Sequence, residues 1–213
     1  MIKGIIFDMD GVLVDSENLK VAVWNNLLGD YGVKNGGEWY KKNIGLPRPE
    51  LSRKAIEEFS LPIDVAELSG QKIKTYLQTC EKVKLIDKAF KFMKSLKDKY
   101  KLGLAASTNM IIIKKHMKED FDYFDAVVSG EDEVPNRKPA PDIYLLAAER
   151  LELKPKECIA IEDSSTGVES AKNAGMKCIA IPNESTMDQD FSKADLVVKS
   201  LTINKIEKLN RKE

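Results

Sequence analysis

The chain has 213 residues, and its lysines plus arginines match its aspartates plus glutamates at 34 each. That length allows a substantial core and sits between one and two typical domains. The charge balance gives no global field to steer the protein onto nucleic acid or an anionic membrane.

Cys80, Cys158 and Cys178 are odd in number and far apart, and the last two sit in apolar runs. Reduced core thiols are expected rather than a disulfide framework, which points to the cytoplasm. No apolar stretch approaches the roughly 18 residues of a membrane span, so a soluble protein without a membrane partner is expected.

The first element, Ile2 to Phe7, is an apolar strand that runs straight into Asp8 and Asp10. One residue separates the two acids, and period-two geometry points them to the same side. Like charges this close need a cation between them or a shared proton. Gly11 permits a tight turn where a ligand can approach the main chain. Burial alone would not require both acids, so metal-assisted chemistry is expected at this strand end.

From Ser16, read as an N-cap, the residues Leu19, Val23, Leu27, Leu28 and Tyr31 recur at helical spacing until Gly32. Helical patterns follow at Glu50 to Phe59 and Asp64 to Cys80, divided by Pro47, Pro49 and Pro62. The gap from Phe7 to the next β-rich run is far longer than a βα crossover needs. Residues 16–80 are therefore expected to form an inserted all-helical domain, and residues 1–15 with 81–213 the core. A helix over Asp87 to Tyr100 leads back to the sheet.

Further strands are predicted at Leu102 to Ser107, Ala126 to Ser129, Cys158 to Glu162, Lys177 to Ile181 and Leu196 to Val198. Helices open at Pro141 with Asp142, running to Leu151, and after Thr166, ending near Ala174 and Gly175. Such alternation argues an α/β fold, a parallel sheet with helices on both faces. The tail Asn204 to Glu213 reads as a surface helix with Ile206 and Leu209 as its apolar stripe. His116, the single histidine, lies in the lysine-rich KKHMKED and is expected on a solvated helix face. Phe90, Phe92, Phe121 and Phe124 suit packing better than base stacking.

Polar residues gather at the carboxyl ends of the predicted strands, where open α/β sheets bind ligands. They are Asp8 with Asp10, Ser107 with Thr108 and Asn109, Lys138 in NRKPAPDIY, and Glu162 with Asp163 in IAIEDSSTGVESAKNAGM. Each taken alone has a structural reading: Lys138 as a loop residue, Ser107 or Thr108 as the N-cap of a helix over Asn109 to Glu119, Glu162 and Asp163 as exposed acids.

In this order, with DMDGVLVDS and IEDSSTGVESAKNAG the most specific strings, they closely resemble the haloacid dehalogenase superfamily, and within it the β-phosphoglucomutase-like phosphatases and mutases. The resemblance implies a Rossmann-like, doubly wound parallel sheet whose helical insertion is a cap. It also implies that Asp8 is the nucleophile accepting a phosphoryl group. Asp10 would protonate the leaving oxygen and then activate water. Magnesium would be held by Asp8, the Asp10 carbonyl, Glu162 and Asp163, an oxygen donor set suited to a hard cation. A carboxylate attacking a phosphate dianion meets repulsion of roughly 1 to 4 kcal/mol per charge pair at about 4 Å, so countercharge is essential. Lys138 would add a fixed positive charge, and Ser107, Thr108 and Asn109 would hold phosphoryl oxygens.

In the mutase branch a cap histidine stands where this chain has Lys20. Lysine binds anions but does not reproduce an imidazole hydrogen bond with a near-neutral pKa. Hydrolysis of a small phosphorylated metabolite, a sugar phosphate for example, is therefore expected, with a β-phosphoglucomutase-type reaction as the alternative. Arg48 falls where the mutases carry a cap arginine for a second phosphate. A phospho-receiver would be shorter and would lack the helical insertion, and a dehalogenase would leave the acid cluster unexplained. A non-catalytic binding protein on the same fold is a further alternative. No protein or nucleic-acid partner is indicated.

Overall fold

The computed structural model describes residues 1–44, 46 and 48–210. Pro47, read above as a helix breaker, and the last three residues of the predicted tail helix lie outside them. The chain divides into two compact units, Met1–Asp15 with Lys84–Glu213, and Ser16–Val83. The return to the first unit thus comes after Val83, slightly beyond Cys80.

The first unit is built on six parallel strands: β1 (Gly4–Phe7), β4 (Lys101–Ala106), β5 (Ala126–Ser129), β6 (Cys158–Glu162), β7 (Lys177–Ala180) and β8 (Leu196–Val197). They lie in the order β5-β4-β1-β6-β7-β8. The strand segments read from the sequence are therefore found, with ends shifted by a residue or two. A short antiparallel pair, β2 (Val14–Asp15) with β3 (Lys84–Leu85), is additional. Two residues per strand carry too little pattern to be seen in sequence.

Both faces of the sheet are buried. On one, Ile6, Ala105, Val128, Ala160 and Cys178 meet Tyr144 and Ala147 of the helix α7 (Asp142–Arg150), Leu151 just after it, and Val168 and Ala171 of α8 (Ser165–Asn173). The alternate residues Ile5, Phe7, Leu104, Ile159, Ile161 and Ile179 point the other way and are fully buried too. Burial on both sides explains why these strands read as continuous apolar runs. The remaining helices of this unit are α5 (Asp87–Lys94), α6 (Met110–Met117) and α9 (Ile203–Asn210). Helix α5 stops at Lys94, short of the expected Tyr100.

The sequence reading of His116 needs correction. It is 7% exposed, on the side of α6 that also buries Ile112, Ile113 and Met117. Lysines on either side suggested a solvated face, but the i, i+3, i+4 spacing of its apolar neighbours decides its orientation.

The second unit holds α1 (Glu17–Gly29), α2 (Gly36–Lys41), α3 (Arg48–Phe59) and α4 (Val65–Thr79). Its core joins Trp24, Leu27, Leu28, Trp39, Tyr40, Leu51, Ala55 and Leu68. Trp24 stacks on Tyr40 and tilts against Trp39, with ring centroids 6.2 Å and 5.6 Å apart. Asp64 caps α4 through the Glu67 amide at 2.8 Å. Ser16 occupies the N-cap position of α1, but its side chain makes no capping bond to the helix.

Candidate active site

The strand β1 ends at Phe7, and the Asp8 amide still donates to Ile161 O at 2.9 Å, so Asp8 leaves the sheet from a fixed position beside β6. The chain then turns at Gly11, whose φ of +81° suits a residue without a side chain. A Cβ there would also come within 2.0 Å of Asp163 Oδ2. The glycine is therefore required twice, by its backbone angle and by the acid lying on it.

Ligand atoms of Asp8, Glu162 and Asp163 all lie within 4.8 Å of one another, and all three residues are buried. The first comes from the amino-terminal strand and the others from the end of β6, which pairs directly with β1. Lys138 Nζ enters the same space, 2.6 Å from Asp8 Oδ1, 2.6 Å from Glu162 Oε1 and 3.3 Å from Ala105 O. The peptide bond between Lys138 and Pro139 is cis.

Both carboxylate oxygens of Glu162 accept hydrogen bonds. Its Oε1 accepts from Lys138 and from Tyr144 OH at 2.7 Å, and its Oε2 accepts from Ser164 Oγ and the Asp163 amide, both at 3.2 Å. Ser164 Oγ also accepts from the Gly167 amide at 3.1 Å, so one hydroxyl caps α8 and holds the acid. A Cβ on Gly167 would meet the Glu162 carboxylate at 2.0 Å. Asp163 is held separately, accepting on Oδ2 from Asn183 Nδ2 at 2.7 Å.

The electrostatics follow from burial and pairing. Burial pushes the Asp8 carboxyl up, Lys138 pulls it down, and Glu162 and Asp10 push it up again, leaving it raised to about 7. For Lys138, burial works against the charge, but Asp8 and Glu162 outweigh it and hold the ammonium above its ordinary value. Three buried carboxylates face one buried ammonium, a negative surplus with hard oxygen donors. That set suits a divalent magnesium-type cation.

The other sequence-derived candidates are placed as follows. Asp10 is half-buried at the start of the turn and is close enough to Asp8 to affect its titration, although its carboxylate is outside the three-acid group. Ser107 is exposed just after β4, and Thr108 is half-buried. Neither caps the next helix: Asn109 does, its Oδ1 accepting from the Ile112 amide at 3.0 Å. The α6 amide of Met110 is taken by Asp132 at 2.7 Å, and Ser129 Oγ donates to Thr108 O at 2.8 Å. The loop after β5 thereby braces the loop carrying Ser107. Within the helical unit, Lys20 Nζ lies 2.8 Å from Glu17 Oε1, and Arg48 is the half-buried first residue of α3.

Tyr144, Ser164 and Asn183 were missed by sequence reasoning. Asn183 comes three residues after the end of β7, so the rule that polar residues beyond strand ends line the site, extended to the loop, would have found it. Tyr144 was signalled only by a hydroxyl on the apolar side of α7.

The sequence profile of haloacid dehalogenase-like hydrolases matches residues 5–181. The chain belongs to that family. It is 34% identical over 183 residues to the phosphorylated carbohydrates phosphatase of Thermotoga maritima, covering 83% of each chain. With the fructose-1-phosphate phosphatase YqaB of Escherichia coli it shares 30% over 185 residues, 84% of this chain and 95% of that one. Its fold matches β-phosphoglucomutase from Clostridium difficile with a TM-score of 0.82 and 25% identity, covering 98% and 96%. The chain is thus an enzyme of the haloacid dehalogenase phosphatase type, with a core similar to that of the mutases.

Proposed function

We propose that this enzyme is a magnesium-dependent phosphomonoester hydrolase that acts on a small phosphorylated metabolite, a sugar phosphate, through an aspartyl-phosphate on Asp8. The observation that carries the reading is the buried meeting of Asp8, Glu162 and Asp163 with one ammonium from Lys138.

Asp8, Asp163, Glu162 and the Asp10 carbonyl would hold Mg2+, which when bound supplies positive charge against the phosphoryl oxygens. Asp8 forms a bond from its carboxylate oxygen to phosphorus as the ester P–O bond breaks, and Asp10 gives its proton to the departing oxygen. Water then attacks phosphorus, Asp10 takes the proton of that water, and the Asp8–phosphorus bond breaks to release phosphate. Lys138 pulls the Asp8 carboxyl toward its ionised form and directs it for the first displacement, and it offsets the negative charge that returns to Asp8 when its bond to phosphorus breaks. Ser107, Thr108 and Asn109 offer hydroxyl and amide donors to the transferring group. Lys20 and Arg48, in the helical unit proposed as the cap, would select the substrate's remaining polar groups. The names of the carbohydrate phosphatases similar to this chain support the substrate class.

The likeness to β-phosphoglucomutase favours a second reading, transfer of the phosphoryl group between sugar hydroxyls. Incubation with sugar phosphates, nucleotides and phosphoglycolate, with Mg2+ or with chelator, separates the two. Free alcohol and inorganic phosphate, formed only with Mg2+, are expected. Isomerised sugar phosphate without phosphate release would replace hydrolysis by the mutase reading, and full activity in chelator would overturn the metal assignment.

A further inference from the structure

Tyr144 is fully buried in α7 among Ile143, Ala147 and Ala148. A phenylalanine would supply the same apolar area, and a buried hydroxyl is costly unless it is bonded. Here it is bonded to an acid: Tyr144 OH donates to Glu162 Oε1 at 2.7 Å. The ring also acts on the next residue of the network, since Lys138 Nζ stands 5.0 Å from its centroid. At that distance a desolvated ammonium is attracted to the face of the ring. Lysine is a long, flexible side chain with a point charge, whereas tyrosine is rigid beyond two torsions. Tyr144 therefore touches both partners of the pair, the ammonium through its ring and the carboxylate through its hydroxyl.

We infer that Tyr144 is a positioning residue, its hydroxyl fixing the Glu162 carboxylate and its ring seating the Lys138 ammonium so that Nζ stays bonded to Asp8. The inference rests on the reading of Asp8 as nucleophile for its effect on turnover, but not for its effect on Lys138. Without the hydroxyl, Glu162 Oε1 keeps Lys138 as its remaining side-chain donor in the network, and the ammonium shifts toward Glu162 and away from Asp8. The same carboxylate is restrained on Oε2 by Ser164, so the shift is a local one and the fold is retained.

The test compares the parent with Tyr144→Phe, which keeps the ring. With p-nitrophenyl phosphate and saturating Mg2+, kcat is expected to fall about tenfold with KM within about twofold, the signature of a lost alignment rather than lost substrate binding. A second readout needs no turnover. In protein labelled with 15N-lysine, the Nζ resonance of Lys138, assigned by its loss in Lys138→Arg, is expected to shift in Tyr144→Phe. In Tyr144→Leu, which also removes the ring, it is expected to broaden into exchange. A Tyr144→Phe protein with an unmoved Lys138 resonance would overturn the inference, and so would a moved resonance with kcat within about twofold of the parent. If the parent itself does not hydrolyse the ester, the phosphatase reading fails, and the Lys138 resonance alone decides the placement of the ammonium by Tyr144.

Discussion

Lys138 Nζ lies 2.6 Å from Asp8 Oδ1 although 130 positions separate the two in the chain. The same nitrogen is 2.6 Å from Glu162 Oε1, and the lysine side chain is only 8% exposed. One ammonium thus bridges acids at the ends of adjacent strands and offsets part of their charge. Breaking such a buried pair from one side typically costs about 3–5 kcal/mol. Lys138→Met should therefore unfold at a lower temperature than the parent in chelator, with part of the loss restored by Mg2+. Equal melting temperatures in chelator would show that the acids do not depend on Lys138.

Asp8→Asn preserves the size of the side chain and removes its ability to form a stable ester to phosphorus. Turnover of an aryl phosphate should fall about a thousandfold or more, as expected for loss of a nucleophile. Asp10→Asn should lose at least about a hundredfold, the scale of general acid–base catalysis. Hydrolysis by Asp8→Asn at the parent rate would reject the covalent route, and a loss below about threefold in Asp10→Asn would reject its proton-transfer role.

The core sheet was legible in the sequence because its strands are buried on both faces. Ile2 to Phe7 and Cys158 to Glu162 could not be mistaken for half-exposed strands. Helix α2 was not legible. Gly36 and Gly37 are poor helix formers, yet a Cβ on Gly36 would meet Leu28 Cβ at 2.8 Å, and one on Gly37 would meet Val21 Cγ1 at 3.0 Å. Close approach to α1 requires the very residues that conceal the helix. At the candidate site, the acids stood out by their place after apolar strands. The partners of Glu162 did not, since Tyr144 lies inside a helix and its hydroxyl has meaning only once α7 is packed on the sheet.

Gly167 is the point at which α8 rests on Glu162, and an added Cβ would overlap three carboxylate atoms at 2.0 Å. The carboxylate cannot yield easily, since Lys138, Tyr144 and Ser164 hold it. Gly167→Ala should cost about 1–3 kcal/mol in stability, as overpacking does, and should weaken Mg2+ binding as well. Denaturant unfolding and calorimetric Mg2+ titration measure the two effects. A variant matching the parent in both would mean that the first turn of α8 moves away without affecting the acids.

Mg2+ should stabilise the folded protein, because the three acids converge only in that state. At a concentration about 100 times the dissociation constant, the gain is about 2.7 kcal/mol. Chelator should reverse it and abolish turnover. Asp163→Asn keeps the bond to Asn183 available through its carbonyl oxygen but removes a charge, and its melting temperature should respond less to Mg2+. An undiminished response in Asp163→Asn would place the cation elsewhere.

The thiols give a pH dependence separate from the acids. Cys80, Cys158 and Cys178 are buried thiols outside any disulfide. Burial, with a smaller contribution from Glu157, pushes the Cys158 thiol up to about 12, and burial also raises Cys178. The folded state therefore retains protons that the unfolded chain loses. The stability linked to Cys158 is fully present below the ordinary thiol value of 9.0 and is lost as pH rises from there toward about 12. At pH 8 the thiolate fraction of Cys158 is about a thousandfold lower than in the unfolded chain, so Ellman's reagent should react slowly with native protein and fast in urea. Cys158→Ala should flatten the decline of unfolding free energy between about pH 9 and 11. An unchanged slope would assign that decline to other groups, and rapid labelling of Cys158 in native buffer would show that β6 opens to solvent.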